Sequence, residues 1–219
     1  MFINISCMTI TVFGATGQVG IRIVNMALER GIHVKAFGRN IEKLIDADLR
    51  NENFEAVKGY VFDEKNVYKA VRGSDAVLSA LGGAFDGTDK TRSLGMKNIV
   101  SQMETAGVKR IIAVGGMGVL TDDEHGFILK NPDYPQQYLA VGLEHLQAYQ
   151  FLLNSSLSWT FVCPPDIADA DATGEFVTAA DYPPAPNRYK INAGDIALFM
   201  LNEITNNNYE KKRVGICSK

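Results

Sequence analysis

Apolar and polar positions follow two alternating rhythms along this chain. Short β-branched and aromatic runs, each closed by glycine or a polar turn, alternate with longer stretches in which apolar residues recur every three or four positions. The first rhythm predicts strands over 9–13, 32–37, 54–58, 76–81, 110–114 and 159–163, with a last strand over 213–217. The second predicts helices over 19–30, 41–49, 64–71, 92–106, 137–153 and 195–204. In the first helix Val19, Ile23, Met26 and Ala27 share one face, and Gly31 closes it.

Five strand–helix units in series imply a parallel sheet covered on both faces. Right-handed crossovers make that sheet doubly wound. Residues 117–136, with acids, prolines and no period, read as a long surface loop. Residues 166–190, rich in Pro, Ala and Asp, read as irregular. The 219 residues suit one α/β domain over 1–219, with its substrate side formed by about 115–190. The formal net charge of −3 carries no basic footprint for nucleic acid. No apolar run reaches the roughly 20 residues of a membrane span, and the opening residues lack a signal-peptide pattern. Met8 offers an internal start, which leaves residues 1–7 as an upstream extension or an added length of first strand. Cys7, Cys163 and Cys217 lie far apart, which argues against a disulfide framework or zinc site and fits a reducing cytoplasm.

The segment TVFGATGQVG follows a strand and opens a helix. Gly14 permits the tight turn, Gly17 lets backbone approach a pyrophosphate, and Gly20 lets the helix pack close. A dinucleotide placed there faces free N–H groups at a helix N-terminus. The fold class is therefore a doubly wound parallel α/β sheet of the Rossmann type. The second strand ends in Phe37-Gly38-Arg39-Asn40, with Lys43 one turn on and no acid for the ribose hydroxyls. Arg39 and Lys43 favour NADP(H), with NAD(H) as the alternative.

The runs GATGQVG, FGRN, SALGG, KNIVSQMETAGVKRIIAV and EHLQAYQFLLNSSLSWTFVCPPDI fall in an order that resembles the atypical short-chain dehydrogenase/reductases. Within the NAD(P)H-binding, NmrA-like set, the chain is most similar to the biliverdin reductase B / NADPH-dependent flavin reductase group. The stretches WTFVCPPDIADADATGEF and INAGDIALFMLNEI carry that closer likeness. The resemblance implies a cytoplasmic monomer, or else a dimer, that uses NADPH to reduce flavins, quinones or tetrapyrroles. By position it assigns Gly14, Thr16, Gly17, Gln18 and Val19 to the pyrophosphate and Arg39 to the 2′-phosphate, with Lys43 as a second basic group. Leu81, Gly82 and Gly83 would line the cofactor, and Cys163, Pro164 and Pro165 would back the nicotinamide. His145 matches a family histidine, and Asp166 stands where the family has another. Two departures bear on the substrate. Gly59 is followed by Tyr60 instead of an acid, and Gly115-Gly116-Met117 replaces a serine-bearing turn.

No tyrosine has a lysine four residues on: Tyr134 leads to Tyr138, Tyr138 to Gly142, Tyr149 to Leu153 and Tyr189 to Ala193. Ordinary alcohol–ketone chemistry needs such a positioned acid. Hydride transfer to a planar acceptor needs mainly two rings held face to face. Gly116, Met117, Tyr149 and Asp166 are candidates for the acceptor's wall. His145 is either a substrate donor or a half-buried helix-face residue, and Asp166 either caps a helix or binds substrate. No metal is expected at Asp123, Glu124 and His125, whose spacing matches no ligand pattern. A regulatory NAD(P)-binding redox sensor without turnover is the competing function.

Overall fold

The computed structural model describes residues 8–41, 44, 51–186 and 188–219. Its strands are β1 (Thr9–Phe13), β2 (His33–Gly38), β3 (Phe54–Lys58), β4 (Ala76–Ser79), β5 (Arg110–Val114) and β6 (Ser158–Cys163). They continue with β7 (Asp166–Ala168), β8 (Phe176–Ala180), β9 (Lys190–Asn192) and β10 (Lys212–Ser218). The helices described are α1 (Gln18–Glu29), α2 (Glu64–Val71), α3 (Thr91–Ala106), α4 (Leu139–Leu153) and α5 (Ala193–Asn206). The helix expected over 41–49, and Lys43 with it, falls largely outside the described residues.

The main sheet runs β3-β2-β1-β4-β5-β6-β10-β8. Every pair is parallel except β10 with β8. β4 is wholly buried and β1 nearly so, as strands covered on both faces must be. Ile10, Val12, Leu78 and Ile112 belong to the core shared with α1 and α5, while Phe13, Val77, Ile111 and Phe161 belong to the core under α2, α3 and α4. The strand order reverses between β1 and β4. Loops there leave in opposite directions and open a crevice at the strands' C-terminal ends.

Two regions differ from the sequence expectation. The stretch 117–136 is packed, not a free surface loop. It contains short 3-10 turns at Met117–Val119 and Ile128–Lys130, and buries Val119, Leu120 and Leu129. The stretch 166–190 is not irregular throughout. β7 pairs with β9, and β8 forms the antiparallel edge of the main sheet. Tertiary partners supply the order: the buried Asp195 carboxylate accepts bonds from Thr173 N and Gly174 N, both 2.8 Å. Arg22 holds Asp169 and Asp171 at 2.7 and 3.0 Å. Strand β4 also stops at Ser79, two residues before the sequence suggests.

Candidate functional site

A cleft of about 1240 Å³ lies over the C-terminal ends of β1, β2, β4, β5 and β6. One end is made of backbone. Gly14 has φ +73°, and a Cβ there would fall 2.3 Å from the carbonyl oxygen of Ala80, so only glycine fits the crevice between β1 and β4. Gly20 is not on the cleft. A Cβ on it would lie 2.1 Å from Gly14 O, which explains a glycine where α1 packs on its own turn. Gly17 differs from both: its nearest neighbour is Gly14 O at 3.3 Å, and it faces the cleft with Thr16, Gln18 and Val19. Gly17 caps α1 with no side-chain hydrogen bond, and the first turn holds no acid. The free amides and positive dipole end therefore fit an anion.

Arg39 and Tyr60 continue this end, the guanidinium 5.7 Å from the ring centroid. Tyr60 thus occupies the rim at this end. Leu81, Gly82 and Gly83 line the middle. Arg92, buried at the start of α3, braces them by donating to Gly83 O and Ala84 O, both 2.9 Å, and lies 5.4 Å from the Phe85 ring. Burial pushes the Arg92 pKa down, opposed by Asp89 and Glu144. Glu144 itself accepts from Lys90 at 2.8 Å and Ser93 at 2.6 Å.

The far end is made of side chains. Gly116, Met117, His145, Pro164, Pro165 and Asp166 all line it. The His145 ring fills the space beside Gly116, where a Cβ would lie 2.9 Å from Cδ2. A side chain on residue 116 would press against this ring. Burial holds His145 down to about 3, with the Arg92 charge adding to the shift. The imidazole is neutral at ordinary pH and has no hydrogen-bond partner among the described residues. Asp166 is exposed and opens β7, so it caps no helix.

Two expected wall residues are elsewhere. Tyr149 is buried in the core, stacked on Phe161 at 5.9 Å and edge-on to Trp159 at 5.7 Å. Cys163 is also buried behind the wall. Its thiol is pushed up to about 12 by burial. Neither lines the cleft. In contrast, Phe62, Phe85, Tyr134, Tyr138 and Tyr189 do line it and were not singled out from sequence. Four of these five are exposed large apolar residues, and two, Tyr134 and Tyr189, sit in the stretches 117–136 and 166–190. Aromatic residues in non-periodic segments are the signal that pointed to them. Among the described residues no lysine lines the cleft, and no group of His, Cys, Asp or Glu is arranged to hold a metal.

Solved structures share this architecture. A Burkholderia pseudomallei protein put forward as an exported protein is 31% identical, with a TM-score of 0.81 over 96% of this chain and 99% of that one. A Streptococcus pneumoniae protein put forward as an NADH-flavin reductase is 25% identical, with a TM-score of 0.81 over 97% of this chain and 100% of that one. A Bacteroides thetaiotaomicron protein put forward as an epimerase is 27% identical, with a TM-score of 0.83 over 97% of each chain. No helix among the described residues is long and apolar enough to cross a membrane. The model of one family, described as NAD(P)H-binding, matches residues 14–207, and with the glycine cradle at α1 this chain belongs to that NAD(P)H-binding family.

Proposed function

We propose that the protein is a reductase that uses NADPH to reduce a flat, electron-poor acceptor of the flavin, quinone or tetrapyrrole kind, acting as a cytoplasmic monomer. The observation that carries this reading is one continuous cleft that joins the glycine cradle at Gly17 to the aromatic end at His145. A nicotinamide cofactor, when bound, supplies the hydride. Gly14, Thr16, Gly17, Gln18 and Val19 hold the pyrophosphate, and Gly20 keeps α1 close enough for them to do so. Arg39 takes the 2′-phosphate, since β2 ends without a carboxylate to bond ribose hydroxyls. Leu81, Gly82 and Gly83 flank the cofactor, and Pro164 and Pro165 wall off its reacting end.

On the acceptor side, Gly116 and Met117 border the acceptor ring, while neutral His145 and Asp166 position it. The flavin-reductase description of the pneumococcal neighbour supports this choice. The epimerase description of the Bacteroides neighbour finds less support, because acid–base work at a sugar carbon needs a paired donor and among the described residues no lysine lines this cleft.

The test is NADPH oxidation with FMN, riboflavin, biliverdin and menadione in turn. Turnover with at least one is expected. Tight NADPH binding without oxidation of any would overturn the reading in favour of a redox sensor. His145→Ala and Asp166→Ala should each lower turnover by about tenfold, near 1.4 kcal/mol of barrier. A loss above roughly a thousandfold would instead mark a dedicated proton donor.

A further inference from the structure

The hydroxyl of Tyr134 is placed by two glycines and has no hydrogen-bond partner among the described residues. Tyr134 follows the turn closed by its own amide, which donates to Asn131 O at 2.9 Å. Its phenol reaches the wall between the 3-10 turn after β5 and helix α4. A Cβ on Gly118 would lie 2.7 Å from the hydroxyl oxygen, and one on Gly142 would lie 3.2 Å away. Both glycines are buried, so two separate elements leave room for this one atom.

No side chain or carbonyl among the described residues hydrogen-bonds that hydroxyl. A half-buried donor without a partner is costly unless something else satisfies it. Burial, with Tyr138 beside it, raises the phenol's pKa, so the group keeps its proton. Gly142 and His145 are three residues apart and share one face of α4. Tyr134 and His145, both on the cleft and both neutral, therefore border the same end of it.

Building on the reductase reading, we propose that Tyr134 recognises the acceptor by donating a hydrogen bond to a ring carbonyl oxygen. The site then selects planar rings that carry such an oxygen, as quinones and isoalloxazines do, over rings of the same shape that lack one. As the acceptor takes up hydride, negative charge gathers on that oxygen and the bond from Tyr134 strengthens. Solvent delivers the closing proton, and the phenol does not ionise.

The experiment is equilibrium binding to the NADP⁺-loaded protein, which does not depend on turnover. Menadione and 2-methylnaphthalene serve as probes, the same ring system with and without carbonyl oxygens. Tyr134→Phe should bind menadione about five- to tenfold more weakly than wild type, the loss of one hydrogen bond. Its affinity for 2-methylnaphthalene and for NADP⁺, and its melting temperature, should be unchanged. Gly118→Ala, which sets a methyl group against the hydroxyl, should produce the same selective loss. Equal menadione affinity for wild type and Tyr134→Phe would overturn the proposal. So would an equal loss for both probes, or no menadione binding by wild type. Menadione binding that depends on Tyr134, in a protein that oxidises no NADPH, would support the recognition site and overturn only the reductase reading.

Discussion

The two ends of the cleft are built from different material. The glycine end is a single run, residues 14–20, and works through backbone amides and the volumes that absent side chains leave open. The acceptor end gathers side chains from the turn after β5, the stretch 128–138, helix α4, the start of β7 and Tyr189. Distant anchors hold these pieces. Arg213 on β10 donates to Val119 O at 2.7 Å and Thr121 Oγ1 at 2.8 Å, while its guanidinium lies 5.3 Å from Phe127 and 5.4 Å from Tyr149. Asp122 ties its own loop together through His125 and Asn131. A backbone site thus depends on local sequence, and a side-chain site depends on contacts far away in the chain.

That contrast can be broken most forcefully inside the glycine run. Gly20→Ala should cost on the order of 3 kcal/mol, because its methyl group overlaps the backbone of residue 14; thermal melting measures it. Gly17→Val should leave melting nearly unchanged and abolish NADPH binding. A folded Gly17→Val protein that titrates normally with NADPH would remove the pyrophosphate from this turn.

Arg213→Met tests the other end. Loss of its two charge-assisted bonds should lower stability by about 2–3 kcal/mol. In the folded variant NADPH affinity should persist while menadione affinity falls. Parallel loss of both affinities would show the two ends to be coupled. Arg39→Ala should weaken NADPH by about 1.5–3 kcal/mol, the range for a bond to a charged group, and leave NADH nearly untouched. Equal weakening of the two cofactors would contradict the 2′-phosphate assignment.

The smallest effect concerns pH. His145 titrates near 6.5 when unfolded and about 3 when folded, so between those values the unfolded chain binds more protons. Stability therefore rises with pH across that window and is lost as pH falls from 6.5 toward 3. Water in the cleft tempers the effect, leaving about 1–2 kcal/mol. Chemical denaturation at pH 7 and pH 4.5 should show a smaller drop for His145→Gln than for wild type. An identical drop would assign the acid sensitivity to other groups.

The strand–helix rhythm and the glycine turn were legible because both are local. Period-two and period-3.6 patterns follow from backbone geometry, and the conformation at Gly14 and the close packing at Gly20 belong to one short segment. The doubly wound parallel sheet follows from those features, while the reversal between β1 and β4 is seen only in the fold. The strands at 166–168, 176–180 and 190–192 carried no such signal. They form because Asp195, Arg22 and β10, all distant in sequence, supply their hydrogen-bond partners and ion pairs.

The same physics decided the acceptor end. Tyr149 and Tyr134 both read as polar-tipped aromatics in the second half of the chain. Only packing separated them, sending Tyr149 into the core against Phe161 and Trp159 and leaving the Tyr134 hydroxyl between two glycines at the cleft. A side chain's direction depends on which distant surfaces meet it, and pattern along the chain does not encode that. The amino-acid sequence alone determined the parallel strands and the glycine turn, because backbone conformation is set by neighbours in the chain. The tertiary structure alone decided which side chains face the acceptor, because that is set by neighbours in space.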